Sequence, residues 1–232
     1  MSVVASFPDW AQARAAPRFT DWLRERTGAA WAGATSHRFV DELAQGTLPN
    51  EAFRRYLIQD YAFIETLVTV VGYAVAHAPG MDAKKVWSGF LGVLTSDEND
   101  YFQRSFEALD VPVELQTDVS LSPVTDALRT AMLDAATAGT YADVLAVIVP
   151  AEWIYLTWAR ERRDSQPRQA YFSEWIELHA IPEFEAFVDW LRGQLDEVGP
   201  MLGDDVRDRI ERRFSEIVDL EIRFFEQAYG RS

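Results

Sequence analysis

At 232 residues the chain can form one large domain or two small ones, and it is long enough to bury a sizeable core without staples. Its 22 Lys and Arg against 37 Asp and Glu leave a net charge of −15. That balance excludes a nucleic-acid backbone or an anionic membrane surface as the expected partner, since both require a basic footprint. The absence of Cys removes disulfides, thiolate metal sites and any cysteine nucleophile.

The expected compartment is the cytoplasm. No stretch approaches the ~20 apolar residues of a membrane helix, and the N-terminal segment lacks the basic cluster and apolar run of a signal peptide. In chain order, Trp10, Phe19, Trp22 and Leu23 recur at helical intervals and predict a first helix over about residues 8–26. Thr35 or Ser36 is the candidate cap of a second helix, stopped by Gly46. Asn50 is the candidate N-cap of a third, with Phe53, Tyr56, Leu57, Tyr61 and Ile64 in an apolar stripe and a stop at Pro79-Gly80. Its apolar residues cover several faces, as expected at the centre of a bundle.

Further helices are expected over about residues 82–109, from a cap at Ser122 to Gly139, and over residues 141–163. Pro150 lies inside the last of these and should kink or break it. Three more follow over about residues 167–179, 182–198 and 204–229. No period-two strand, linker or tandem repeat interrupts the pattern. The expected architecture is all-α, one compact bundle of eight or nine helices spanning residues 1–232 as a single domain.

His37, His77 and His179 are widely separated, and no HExxH or paired ExxH motif accompanies them, so no metal is expected. Phosphate-binding glycine loops and a GxSxG elbow are also missing. What remains is a set of carboxylates interleaved with aromatics: Asp60 in IQDYAF, Glu152 in VIVPAEWIY and Glu221 in IVDLEIRFFEQAY. A carboxylate in an apolar stripe is costly unless paired or hydrogen-bonded. The three can meet at one core cavity, or each can be a boundary residue with an arginine partner. Periodicity alone does not choose.

Four blocks taken in order make the choice. They are SHRFVDELAQGTLPNEAFRRYLIQDYAFI, SDENDYFQRSFEALDV, the turn at Pro150 with YFSEWIELHAIPEFEAFVDWL after it, and FSEIVDLEIRFFEQAY. With these the chain resembles the TenA / thiaminase II family, of the haem-oxygenase-like fold, over roughly residues 17–229. The resemblance implies hydrolysis at the pyrimidine moiety of thiamin or of its breakdown products. It implies that Asp60 binds the aminopyrimidine edge, that Glu221 is the catalytic acid and that Tyr155 is an active-site tyrosine. An amidine-like N–C–NH₂ edge suits two parallel hydrogen bonds to a carboxylate.

Departures from the family pattern are informative. Ala151 stands where many members carry the catalytic Cys, with Glu152 next to it, as in a cysteine-less branch of the family. Phe63 and His179 replace pocket tyrosines, and Leu128 is an approximate counterpart of another. Tyr61 and Trp153, the aromatic neighbours of Asp60 and Glu152, complete the expected substrate-binding set. The implied enzyme is a cofactor-free aminopyrimidine hydrolase of thiamin salvage, acting on an aminomethyl- or formylaminopyrimidine. Glu152 and Glu221 would be its acid/base pair, with separated pKa values. A homodimer or homotetramer is expected from the resemblance. The alternatives are a non-catalytic carrier of a pyrimidine-like molecule and an oxidase on the same fold.

Overall fold

The computed structural model describes residues 6–230. Among these, thirteen α-helices and one 3₁₀ turn occur and no strand. The N-terminal layer comprises α1 (Phe7–Gln12), α2 (Phe19–Arg26), α3 (Ala29–Thr35) and α4 (Arg38–Gln45). The long α5 (Asn50–His77) leads to α6 (Met81–Thr95), α7 (Asp97–Ala108) and the single turn α8 (Glu114–Thr117). The rest is α9 (Pro123–Ala138), α10 (Tyr141–Arg162), α11 (Ala170–Leu178), α12 (Pro182–Val198), the 3₁₀ turn Gly199–Met201 and α13 (Asp204–Gln227).

The count exceeds expectation because punctuation is denser than the apolar spacing suggests. The first expected helix is two, since Pro17 forces its surroundings out of helical geometry and Arg18 is extended (φ −108°, ψ 135°). The Ala-rich α3 carries too little apolar periodicity to announce itself. The cap of α4 is His37, whose Nδ1 accepts from the Phe39 N–H at 3.1 Å, and neither Thr35 nor Ser36 serves. Gly46 closes α4 in the left-handed region (φ +70°), as glycine is suited to do. Asn50 is the first residue of α5, preceded by Pro49, and its side chain accepts from the Tyr171 hydroxyl. The expected helix over residues 82–109 breaks at Ser96 (φ −126°, ψ −86°).

Pro150 does not break α10, which runs uninterrupted from Tyr141 to Arg162. Every residue from Ala142 to Ile154 is buried, against α13, α12, α9, α3 and α5. That packing outweighs one missing backbone hydrogen bond. By length and mean hydropathy alone α10 could cross a membrane, but 94% of its apolar window is buried in the protein. It is the core helix.

Its N-terminus is fixed by Asp143, which is fully buried and closes a capping box with Thr140. The same carboxylate accepts from Arg209 at 2.8 and 3.1 Å and from Arg213 at 3.0 Å, tying α10 to α13. Burial alone would raise the Asp143 pKa. The Arg209 hydrogen bond and the two from Thr140 overcome it and hold the carboxyl well below its usual range.

Candidate active site

A cavity of about 700 Å³ opens beside α10. Helix α5 supplies Asp60, Phe63, Ile64 and Leu67 to its wall, spaced i, i+3, i+4, i+7 and therefore on one face. Helix α10 supplies Ala151, Glu152 and Tyr155, and α13 supplies Glu221 and Phe224. Leu128 from α9, Trp175 and His179 from α11 and its C-terminal end, Phe90 and Leu94 from α6, and Phe184 and Phe187 from α12 also line it. Exposed Asp82, Lys85 and Glu183 stand at the mouth.

The three sequence-predicted carboxylates thus meet, and none has an arginine partner among the described residues. Asp60, Glu152 and Glu221 are 7%, 9% and 4% exposed. Asp60 Oδ2 and Glu221 Oε2 are buried with no hydrogen-bond partner, a configuration that calls for a ligand bearing N–H or O–H donors. Burial pushes all three up, opposed at Asp60 by a Tyr56 hydrogen bond and reinforced at Glu152 by repulsion from Glu221 and Asp60 and at Glu221 by repulsion from Asp60. Asp60 reaches about 7, and Glu152 and Glu221 each reach about 8. Both glutamates are thus held well above the ordinary carboxylate range.

Around this acidic set the polar groups are neutral. Tyr155 shares a 2.7 Å hydroxyl–hydroxyl hydrogen bond with Tyr56, and burial raises both phenols well above their ordinary value. The His179 Nδ1 donates to the Trp175 carbonyl at 2.9 Å, and burial lowers the ring pKa to about 4. His179 is therefore a neutral imidazole whose Nε2 is an acceptor. Among the described residues no three His, Asp or Glu side chains converge on a position that could hold one metal ion.

Two expected binding residues do not line the cavity. Tyr61 lies one residue, or 100° of helix rotation, beyond Asp60, and its hydroxyl donates to Asn99 Oδ1 at 3.0 Å on another side of α5. Trp153 is likewise rotated away from Glu152. Its ring packs on Trp31 (centroids 4.6 Å apart) with the Arg192 guanidinium 3.8 Å from its centre. Conversely, two residues of the site were not singled out from the sequence. Tyr56, one turn before Asp60, was read only as part of an apolar stripe. Glu98, in the first turn of α7, lines the cavity, and burial with repulsion from Glu152 and Asp60 raises its carboxyl well above the usual range. Its segment SDEND reads as a solvated face, and the break at Ser96 that precedes it in the fold has no signature in the sequence.

A sequence profile of the TENA/THI-4/PQQC family matches residues 24–231. The chain belongs to that family. Among its relatives, the aminopyrimidine aminohydrolase of Halalkalibacterium halodurans is 24% identical over 214 residues, covering 91% of this chain and 96% of the relative. The aminopyrimidine aminohydrolase of Helicobacter pylori is 22% identical over 212 residues, covering 90% and 98%. A TenA homologue from P. horikoshii superimposes with a TM-score of 0.82 at 24% identity, covering 92% of this chain and 99% of that one. The family's all-helical fold is the fold found here.

Proposed function

We propose that this family member hydrolyses an aminopyrimidine of the thiamin-breakdown type, replacing an exocyclic amine or formylamino group by a hydroxyl without a cysteine nucleophile. The observation that carries the reading is the convergence of Asp60, Glu152 and Glu221, free of arginine, in one aromatic-walled cavity with two oxygens lacking donors. Relatives bearing the name aminopyrimidine aminohydrolase, matched over nearly their whole length, support it.

In this reading Asp60 accepts the two N–H groups of the amidine-like ring edge, and Phe63, Trp175 and Phe224 enclose the ring. Glu221, protonated near neutral pH, delivers its proton to the exocyclic nitrogen, and the carbon–nitrogen bond breaks with its electron pair leaving on nitrogen. Glu152, deprotonated once a positively charged substrate sits beside it, takes a proton from water while the water oxygen bonds to the exocyclic carbon. The balance is amine plus water giving alcohol plus ammonia, or formamide from the formylated substrate. One proton has then passed from Glu221 to Glu152. The Tyr155 hydroxyl, held by Tyr56, orients the water.

Purified protein incubated with the aminomethyl- and formylaminopyrimidines should release the hydroxymethylpyrimidine, read by chromatography. Absence of turnover across the panel overturns the hydrolase reading. Binding without turnover would make the chain a carrier.

A further inference from the structure

Asp60 suffices for the ring edge, and Glu152 with Glu221 for proton transfer, which leaves Glu98 without a task. It is half-buried in the cavity wall, and among the described residues no cation pairs with it and no hydrogen bond reaches its carboxyl. The cavity it lines also holds Asp60 from α5, Glu152 and Tyr155 from α10, Glu221 from α13 and the neutral His179, and the neutral Tyr101 near it adds no positive charge. Lys85 is exposed at the mouth with Asp82 and Glu183 beside it in the lining. Nor does Glu98 serve its own helix, because no backbone N–H of α7 bonds to its carboxyl. Its carboxyl is repelled by both Glu152 and Asp60, with which it shares the cavity wall. A carboxyl kept there without compensation is suited to a ligand that brings the missing charge and donors with it.

We propose that Glu98 binds the exocyclic nitrogen of the substrate and makes the enzyme prefer the free amine to its formylated counterpart. This inference rests on the hydrolase reading above. An alkylamine is more basic than Glu221, so the Glu221 proton settles on nitrogen once the amine is bound. The resulting ammonium offers three N–H donors and a full positive charge to Glu98 and Glu152. A formamide nitrogen offers one N–H and no charge, and its formyl oxygen meets acidic groups. Glu98 thus discriminates at the leaving group, while Asp60 discriminates at the ring.

The test is kcat and KM for both pyrimidines with the wild-type protein, Glu98→Gln and Glu98→Ala. Thermal unfolding of each variant serves as the folding control. Loss of one charge-assisted hydrogen bond should raise KM for the free amine roughly 10- to 100-fold. KM for the formylated substrate should change less than about 3-fold, so the wild-type preference for the amine collapses. A preference left unchanged in both variants, or a wild type that favours the formylated substrate, overturns the inference while leaving the hydrolase reading standing. A wild type that neither binds nor turns over either pyrimidine overturns both.

Discussion

Replacing Glu152 by Gln should stabilise the protein, and by more as the solution becomes more alkaline. Glu152 is nearly fully buried, has no cationic partner, and its carboxyl is raised from 4.5 to about 8 in the fold. The unfolded chain gives up this proton near 4.5, whereas the folded protein keeps it until about 8. Between those values the native state binds the extra proton, so stability falls as pH rises. At about 1.36 kcal/mol per pH unit the group costs roughly 2 kcal/mol at pH 6. The cost levels off at roughly 5 kcal/mol by pH 9.

The amide has no such dependence. Urea unfolding of the wild type and of Glu152→Gln should therefore diverge by about 3 kcal/mol between pH 6 and pH 9. Taking the difference cancels the contributions of His37 and His179, which both proteins share. A gap that does not change with pH, or that narrows toward pH 9, refutes the assignment of Glu152 to an uncompensated cavity wall. The same variant should lose about 10²–10⁴-fold in turnover, so a gain in stability and a loss of function would come from one atom's change.

Glu221→Gln should lose hydrolysis by a similar ~10²–10⁴-fold with helical circular dichroism unchanged, and near-normal turnover would remove it from the proton path. Ala151→Cys should not create a thiamin-cleaving enzyme, because a thiol beside Glu152 in this buried acidic cavity has its pKa raised and stays protonated; release of thiazole from thiamin is the assay. Asp143→Asn should lower stability by about 3 kcal/mol at neutral pH, less than a fully buried pair can cost because the Arg209 side chain is 39% exposed. Since the Asp143 carboxyl is held below its usual range, its contribution is complete above about pH 4 and fades as pH falls further, so the variant should lose its disadvantage in acid.

The fold class was legible because α5, α9, α12 and α13 carry their apolar faces in the sequence, and α9 its Ser122 cap as well. Pro182 at the start of α12 and Ser122 before α9, for example, stand at the ends they mark. What was not legible depends on tertiary packing. Nothing local distinguishes the Pro150 that a fully buried α10 tolerates from a proline that ends a helix. Ser96 lacks the Gly or Pro signature of a break, although it divides two helices. Of the site, the carboxylates Asp60, Glu152 and Glu221 could be picked out because charge in an apolar run is conspicuous. Glu98 could not, because it sits among other acids. Tyr61 and Trp153 were wrongly placed toward the cavity because adjacency in sequence is a poor guide on a helix, where neighbours point 100° apart.

Trp153 has a consequence reaching beyond its own packing. Among the described residues the Glu152 carboxyl has no hydrogen bond to hold it, yet an acid/base group must be aimed to within a fraction of an ångström. The adjoining indole is wedged between Trp31 and the Arg192 guanidinium, with Arg24 5.1 Å from the ring centre, and Arg192 is itself fastened to Asp21 at 3.0 Å. The backbone that carries Glu152 is thus steadied by a neighbour turned about 100° away around α10, and among the described residues no hydrogen bond of its carboxyl would have to break when its proton moves. Surveying only the cavity wall for the determinants of rate would overlook a mount of this kind, because it never meets the substrate.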